Sequence, residues 1–221
     1  MKKLFIAFLL SLSTNAIAVG EISAPVVEHK EFIGDFRGQS FVGRKDLRYA
    51  SFEGDISGAN FTGCDLTGAV VKGLAMKANF YRANMRGFVF KNVNAAGSNF
   101  ELADLSHAVV SGRFSKGNFK MAVLDFANAQ DSNFDAAVFN YASLHKFYGT
   151  SASFFKANLY RATIIESVLY NVNMALSNVT GAVFVNNDLR KTNQYHIKWA
   201  TTTYFKNNDM AGRFFELANP Q

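Results

Sequence analysis

The chain repeats itself every five residues, and this period limits its fold more than any other feature. Ala59-Asn60-Phe61-Thr62-Gly63, Cys64-Asp65-Leu66-Thr67-Gly68, Ala83-Asn84-Met85-Arg86-Gly87, Ala103-Asp104-Leu105-Ser106-His107 and Ala157-Asn158-Leu159-Tyr160-Arg161 share one plan. Each reads small, Asn or Asp, large apolar, then two polar or small residues. Taking the large residue as the centre, one register runs from Phe119 through Leu124, Phe134, Phe139, Leu144, Phe154, Leu159, Ile164, Leu169, Met174, Val179 and Phe184 to Leu189. An earlier register runs Phe80, Met85, Phe90, Ala95, Phe100, Leu105, Val110, and a still earlier one Ile56, Phe61, Leu66, Val71, Met76. The joins from Met76 to Phe80 and from Val110 through Phe114 to Phe119 each hold a four-residue step. No polar linker marks a domain boundary, so these are read as local deletions in one continuous solenoid.

Such a period suits neither an α-helix nor a flat strand. A coil that turns a corner at each repeat satisfies it, with the centre and the small residue two before it inside and the rest in water. Four corners close a square, and coils stacked about 4.8 Å apart pair their backbone groups above and below. The only prolines are Pro25 and Pro220, outside the repeats, which suits an unbroken ladder because proline lacks the donor. One interior column then runs Phe80, Phe100, Phe119, Phe139, Leu159, Val179, and its neighbour Met76, Ala95, Phe114, Phe134, Phe154, Met174. A third is aliphatic, from Met85 to Ile164, ending at Phe184. The fourth is irregular, and at Gly149 the bulk is expected to move to Phe147, two residues before.

These repeats resemble the pentapeptide-repeat family over about residues 36–189. The resemblance implies an all-β fold, a right-handed quadrilateral β-helix. The best-known members protect bacterial topoisomerases by imitating DNA, and they are cytoplasmic, acidic and dimeric. This chain departs from that pattern: it has 23 Lys and Arg against 17 Asp and Glu, and its start has the form of an export signal. DNA mimicry is therefore not carried over.

Lys2 and Lys3, an apolar run from Leu4 to Leu12 and Ala16-Ile17-Ala18 have the layout of a secretory signal peptide over residues 1–18. The apolar run is too short to span a bilayer, and no transmembrane segment is expected. The protein is expected to be exported, to the periplasm or outside the cell. Cleavage after Ala18 would remove two lysines and no acid, leaving a charge of about +4. That is mild for a nucleic-acid binder, and no nucleic acid is expected as partner. Lys72, Lys77, Arg82 and Arg86 fall on four different sides, and only Lys72 and Lys91 stack. Residues 19–35, with Val26, Val27, Phe32 and Ile33, are expected to cap the N-terminal end. Residues 190–221, with Tyr195, Trp199, Tyr204, Phe205, Phe214 and Phe215, are expected to cap the other end or to form a homodimer contact.

Catalytic chemistry finds little support, and neither a cofactor nor a metal is expected. His107 and His145 share a side but lie two coils, about 10 Å, apart, too far to share a metal. Cys64 occupies a small inward slot and reads as a buried, inert thiol. A filled interior leaves no cleft to perturb acids and bases. The surface of most interest follows the phenylalanine column, where the outward pairs are Tyr81-Arg82, Glu101-Leu102, Lys120-Met121, Asn140-Tyr141 and Tyr160-Arg161. Tyr, Arg and exposed Met are enriched at protein interfaces. Tyr81, Arg82, Lys120, Tyr141, Tyr160 and Arg161 are therefore the candidate docking face for an unidentified protein partner. The competing expectation is a structural spacer or envelope component with no such face.

Overall fold

The computed structural model describes residues 29–210, so the expected signal peptide and Val26, Val27, Phe214 and Phe215 lie outside the described residues. Every regular element among the described residues is a strand, and every pairing is parallel. The first sheet stacks β1 (Glu31–Asp35), β2 (Ser51–Asp55), β3 (Val70–Leu74), β4 (Val89–Asn94) and β5 (Val109–Arg113) in sequence order. The second stacks β6 (Ser143–His145), β7 (Thr163–Ile165), β8 (Val183–Val185) and β9 (Tyr204–Lys206). Paired positions such as Glu31 and Ser51, Val70 and Val89, or Val183 and Tyr204 are 19 to 21 residues apart, which is four repeats to a coil. The protein is a right-handed quadrilateral β-helix of about nine turns.

The interior follows from the repeat. Centres and the small residues two before them are buried, as in Ala78-Phe80, Ala83-Met85 and Ala103-Leu105. Phe61, Phe80, Phe100, Phe119 and Phe139 stack face to face, with successive ring centroids 4.6 to 5.1 Å apart. Each large side chain removed from water contributes on the order of 1.5–3 kcal/mol. In several coils a polar residue fills the small slot and donates to a carbonyl of the coil before: Ser98 Oγ to Ala75 O at 2.5 Å, Ser132 Oγ to Val110 O at 2.6 Å and Ser167 Oγ to Leu144 O at 2.7 Å. Asn187 Nδ2 donates to Ile164 O and Asn208 Nδ2 to Phe184 O, each at 2.8 Å. These buried polar groups are tolerated because each finds a carbonyl within reach, whereas the Ser177 hydroxyl in the same kind of slot has no partner.

Corners are tight turns. Ala83 N–H closes one by donating to Phe80 O at 3.0 Å, and the second turn residue, Arg82, has φ +54°. Positive φ at this place recurs at corner after corner, in Leu102, Met121, Tyr141 and Arg161 among others. Side chains other than glycine adopt it rarely. Here each such residue also donates its N–H to the next coil, as Arg82 does to Glu101 O and Arg161 to Thr180 O, both at 3.0 Å. Asn and Asp just before a centre hold the turn from outside: Asn79 Oδ1 accepts from Tyr81 N and Asn99 Oδ1 from Glu101 N, both at 3.1 Å.

Two details differ from the sequence reading. The short step expected at Met76 to Phe80 lies instead at Val71 to Ala75: Ala75 is fully buried and Met76 is exposed. Ala75 N donates to Asn94 O at 2.8 Å, which makes Ala75 the counterpart of Ala95. The same step recurs at Phe32 to Phe36, Phe52 to Ile56 and Val110 to Phe114, always across a glycine at φ +112° to +134°: Gly34, Gly54, Gly73 and Gly112. A Cβ on Gly73 would sit 2.3 Å from Gly54 O, so glycine alone fits. The ends also extend the coil. β1 pairs with β2, and Phe32 stacks on Phe52 at 4.5 Å. Residues 190–209 form another turn, in which β9 pairs with β8 and Phe205 stacks on Phe184 at 4.8 Å.

Candidate functional site

The corner after the phenylalanine column carries the Tyr and Arg residues in two vertical rows. One row holds Tyr81, Glu101, Lys120, Asn140, Tyr160 and Thr180, and the other Arg82, Leu102, Met121, Tyr141, Arg161 and Gly181. The second row occupies the left-handed turn position, so the backbone points those side chains straight outward. Ladder bonds fix them: Met121 N to Asn140 O at 2.9 Å and Tyr141 N to Tyr160 O at 3.0 Å.

The six residues divide into three groups. Tyr141, Tyr160 and Arg161 form one cluster. The tyrosine rings meet edge to face at 5.7 Å, and the Arg161 guanidinium lies 5.3 Å from the Tyr160 ring and 5.9 Å from Tyr141. Tyr81 and Arg82 make a separate pair at 5.1 Å, lower in the stack. Lys120 is ion-paired with Glu101 at 3.1 Å, so its charge is largely neutralised. Met121 and Tyr141 are each about half exposed, at 48% and 46%. Beside Tyr160 in its row, Asn140 Oδ1 and Thr180 Oγ1 are buried without a hydrogen-bond partner. Sequence reasoning did not reach these two atoms, because their isolation depends on how neighbouring coils shade them.

The other chemically interesting residues are arranged for packing. Phe126 stands between His107 and His145, with ring centroids 4.8 Å from the first and 5.8 Å from the second. Among the described residues no group of three or more His, Cys, Asp or Glu is placed to hold a metal ion. Cys64 is fully buried, and its Sγ donates to Phe41 O at 2.8 Å. Burial pushes its thiol pKa up, which disfavours the thiolate. Lys72 and Lys91 are register partners in β3 and β4, as their stacking in the sequence required. Among the described residues no helix is long and apolar enough to cross a membrane.

Four-cornered coils of five-residue steps define a repeat solenoid. The family model for pentapeptide repeats matches residues 76–112 with 8 copies, and the same coils continue on both sides of that stretch. Residues 76–112 are thus pentapeptide repeats. No curated protein matches the chain in sequence. Among solved structures it is similar to HetL, a pentapeptide repeat protein involved in heterocyst differentiation regulation from the cyanobacterium Nostoc sp. strain PCC 7120. Identity there is 17% over 82% of this chain and 91% of that one, with TM-score 0.37. A trypsin-treated form of QnrB1, a plasmid-mediated fluoroquinolone resistance protein, is 16% identical over 77% and 88%, with TM-score 0.32. A pentapeptide repeat protein of the Arabidopsis thaliana thylakoid lumen is 24% identical over 43% and 56%, with TM-score 0.27.

Proposed function

We propose that the protein is an exported, non-catalytic interaction module that docks a protein partner on the Tyr141, Tyr160 and Arg161 cluster. One observation carries this reading: an Arg is held over the half-exposed Tyr141 ring and the partly buried Tyr160 ring, on corners whose backbone is already bonded into the ladder. Aromatic and Arg anchors dominate binding energy at interfaces, and pre-fixed side chains lose less entropy on docking. Export rests on the residue pattern of positions 1–18. A spacer would have no use for this cluster.

Photo-crosslinking from position 121, in wild type and in a Tyr141→Ala/Tyr160→Ala/Arg161→Ala variant, tests the docking face in the native compartment. A crosslinked protein that disappears with the triple variant and persists with Lys77→Ala supports the reading. Equal recovery of every crosslinked protein from both rules it out. Cell fractionation, with the mature N-terminus at Val19 by mass spectrometry, tests export.

A further inference from the structure

The first sheet departs from its own pattern at β4. Its neighbours cross from centre to centre in four residues through Gly73 or Gly112, whereas β4 takes five, from Phe90 to Ala95. The extra residue creates a bulge: pairing shifts between Phe90 and Val93, and Asn92 takes φ +53°. Ser111 Oγ donates to Asn92 Oδ1 at 2.9 Å and braces it. Bulges re-aim side chains, and the side chain next to this one is Lys91.

Beside it lies an open groove of about 490 Å³. Val70, Val89 and Val109 form its apolar floor, and Lys72, Lys91, Ser51 and Ser111 its polar border. The valine row crosses three strands, about 10 Å at the ordinary strand spacing. Charge on the border is unequal. Lys72 is ion-paired with Glu53 at 3.5 Å, which leaves the groove close to one net positive charge, centred on Lys91.

We infer that this groove binds a small amphiphilic monocarboxylate, with its aliphatic body on the valine row and its carboxylate on the Lys91 ammonium. The single net charge matches a monoanion, and the partly exposed valines match an alkyl chain short enough to lie across three strands. The site stands on a different side of the solenoid from the Tyr and Arg cluster and does not depend on that reading.

The test uses the full mature chain and decanoate below its micellar concentration, followed by amide chemical shifts and calorimetry. Decanol supplies the same tail without the charge, and propionate the same head without the tail. The expected result is saturable one-to-one binding of decanoate, with shifts at Val89, Lys91 and Val109. Lys91→Gln and Val89→Asn should each weaken it by about tenfold or more, and Lys120→Gln should leave it unchanged. Unchanged melting temperatures would show that the variants still fold. Absence of saturable decanoate binding, equal binding by Lys91→Gln, or equal affinity for decanol would each overturn the inference.

Discussion

The two halves of the solenoid turn the same corners with different residues. Before residue 100 the left-handed corner position is glycine seven times, from Gly38 to Gly97, against Tyr49, Lys77, Arg82 and Asn92. After residue 100 it is glycine once, at Gly181, against nineteen residues with side chains. The first sheet, β1 to β5, has strands of five or six residues with glycine-bearing short steps and a bulge, while the second, β6 to β9, has three-residue strands and no glycine-bearing step. A left-handed backbone costs an ordinary residue roughly 1–2 kcal/mol. The C-terminal half therefore accepts a repeated conformational cost and gains a surface of outward side chains. Tyr141 and Arg161 stand on that surface. The N-terminal half keeps plain corners, and its irregularity opens the groove beside Lys91.

The largest effect expected from breaking this contrast lies in the C-terminal interior. Phe147 is fully buried, and Gly149 leaves it room: a Cβ at Gly149 would meet Phe147 Cε1 at 2.6 Å and Leu169 Cδ2 at 3.2 Å. Phe147→Ala should cost about 3–5 kcal/mol in denaturant unfolding. Gly149→Ala should destabilise the wild type but be tolerated in the Phe147→Ala background, a coupling visible in a double-mutant cycle. Additive losses would show that the two positions do not share one volume.

An intermediate effect is expected in the N-terminal sheet. Gly73→Ala places a Cβ against backbone that cannot step aside and should cost at least about 1–3 kcal/mol. Gly63→Ala has the same handedness problem at φ +63° with nothing within 4 Å, and should cost only about 1–2 kcal/mol. Thermal melts that rank them the other way would contradict the close approach of neighbouring coils.

The smallest effect is electrostatic. Arg190 donates to both carboxylate oxygens of Asp188 and holds its pKa below the usual range. Burial pushes the Asp104 carboxyl up, yet the Ser106 hydroxyl and amide, with Arg86, outweigh it and lower the pKa. A depressed folded pKa contributes stability that is present above the unfolded value near 3.9 and lost as pH falls below it. The melting temperature should hold from neutral pH down to about 5 and then decline below about 4. Asp188→Asn should flatten that decline slightly, because exposed pairs contribute under about 1 kcal/mol.

Much of this was legible in the sequence, for physical reasons. Burial of every centre imposes the period, so the interior columns and the Phe147 exchange could be read directly. Met76 misled because a centre was identified by size, whereas the strand ladder selects the smaller Ala75. The Phe52-Glu53-Gly54-Asp55-Ile56, Val71-Lys72-Gly73-Leu74-Ala75 and Val110-Ser111-Gly112-Arg113-Phe114 pattern would have located every such step. The turn at residues 190–209 was hidden because Gln194 and Trp199 stand where earlier coils place centres of the usual kind. The candidate surface was legible as a row of residues. Its division into a Tyr141, Tyr160 and Arg161 cluster, a separate Tyr81 and Arg82 pair and a neutralised Lys120 depends on distances that spacing alone does not give.

Amide hydrogen exchange tests the central claim most directly, that the outward rows rest on one continuous bonded ladder. The left-handed corner amides of Met121, Tyr141 and Arg161 should exchange as slowly as the interior amides of Phe119 and Phe139, near the rate set by global unfolding. Corner amides that exchange at rates close to those of an unstructured chain, while the phenylalanine amides stay protected, would contradict it.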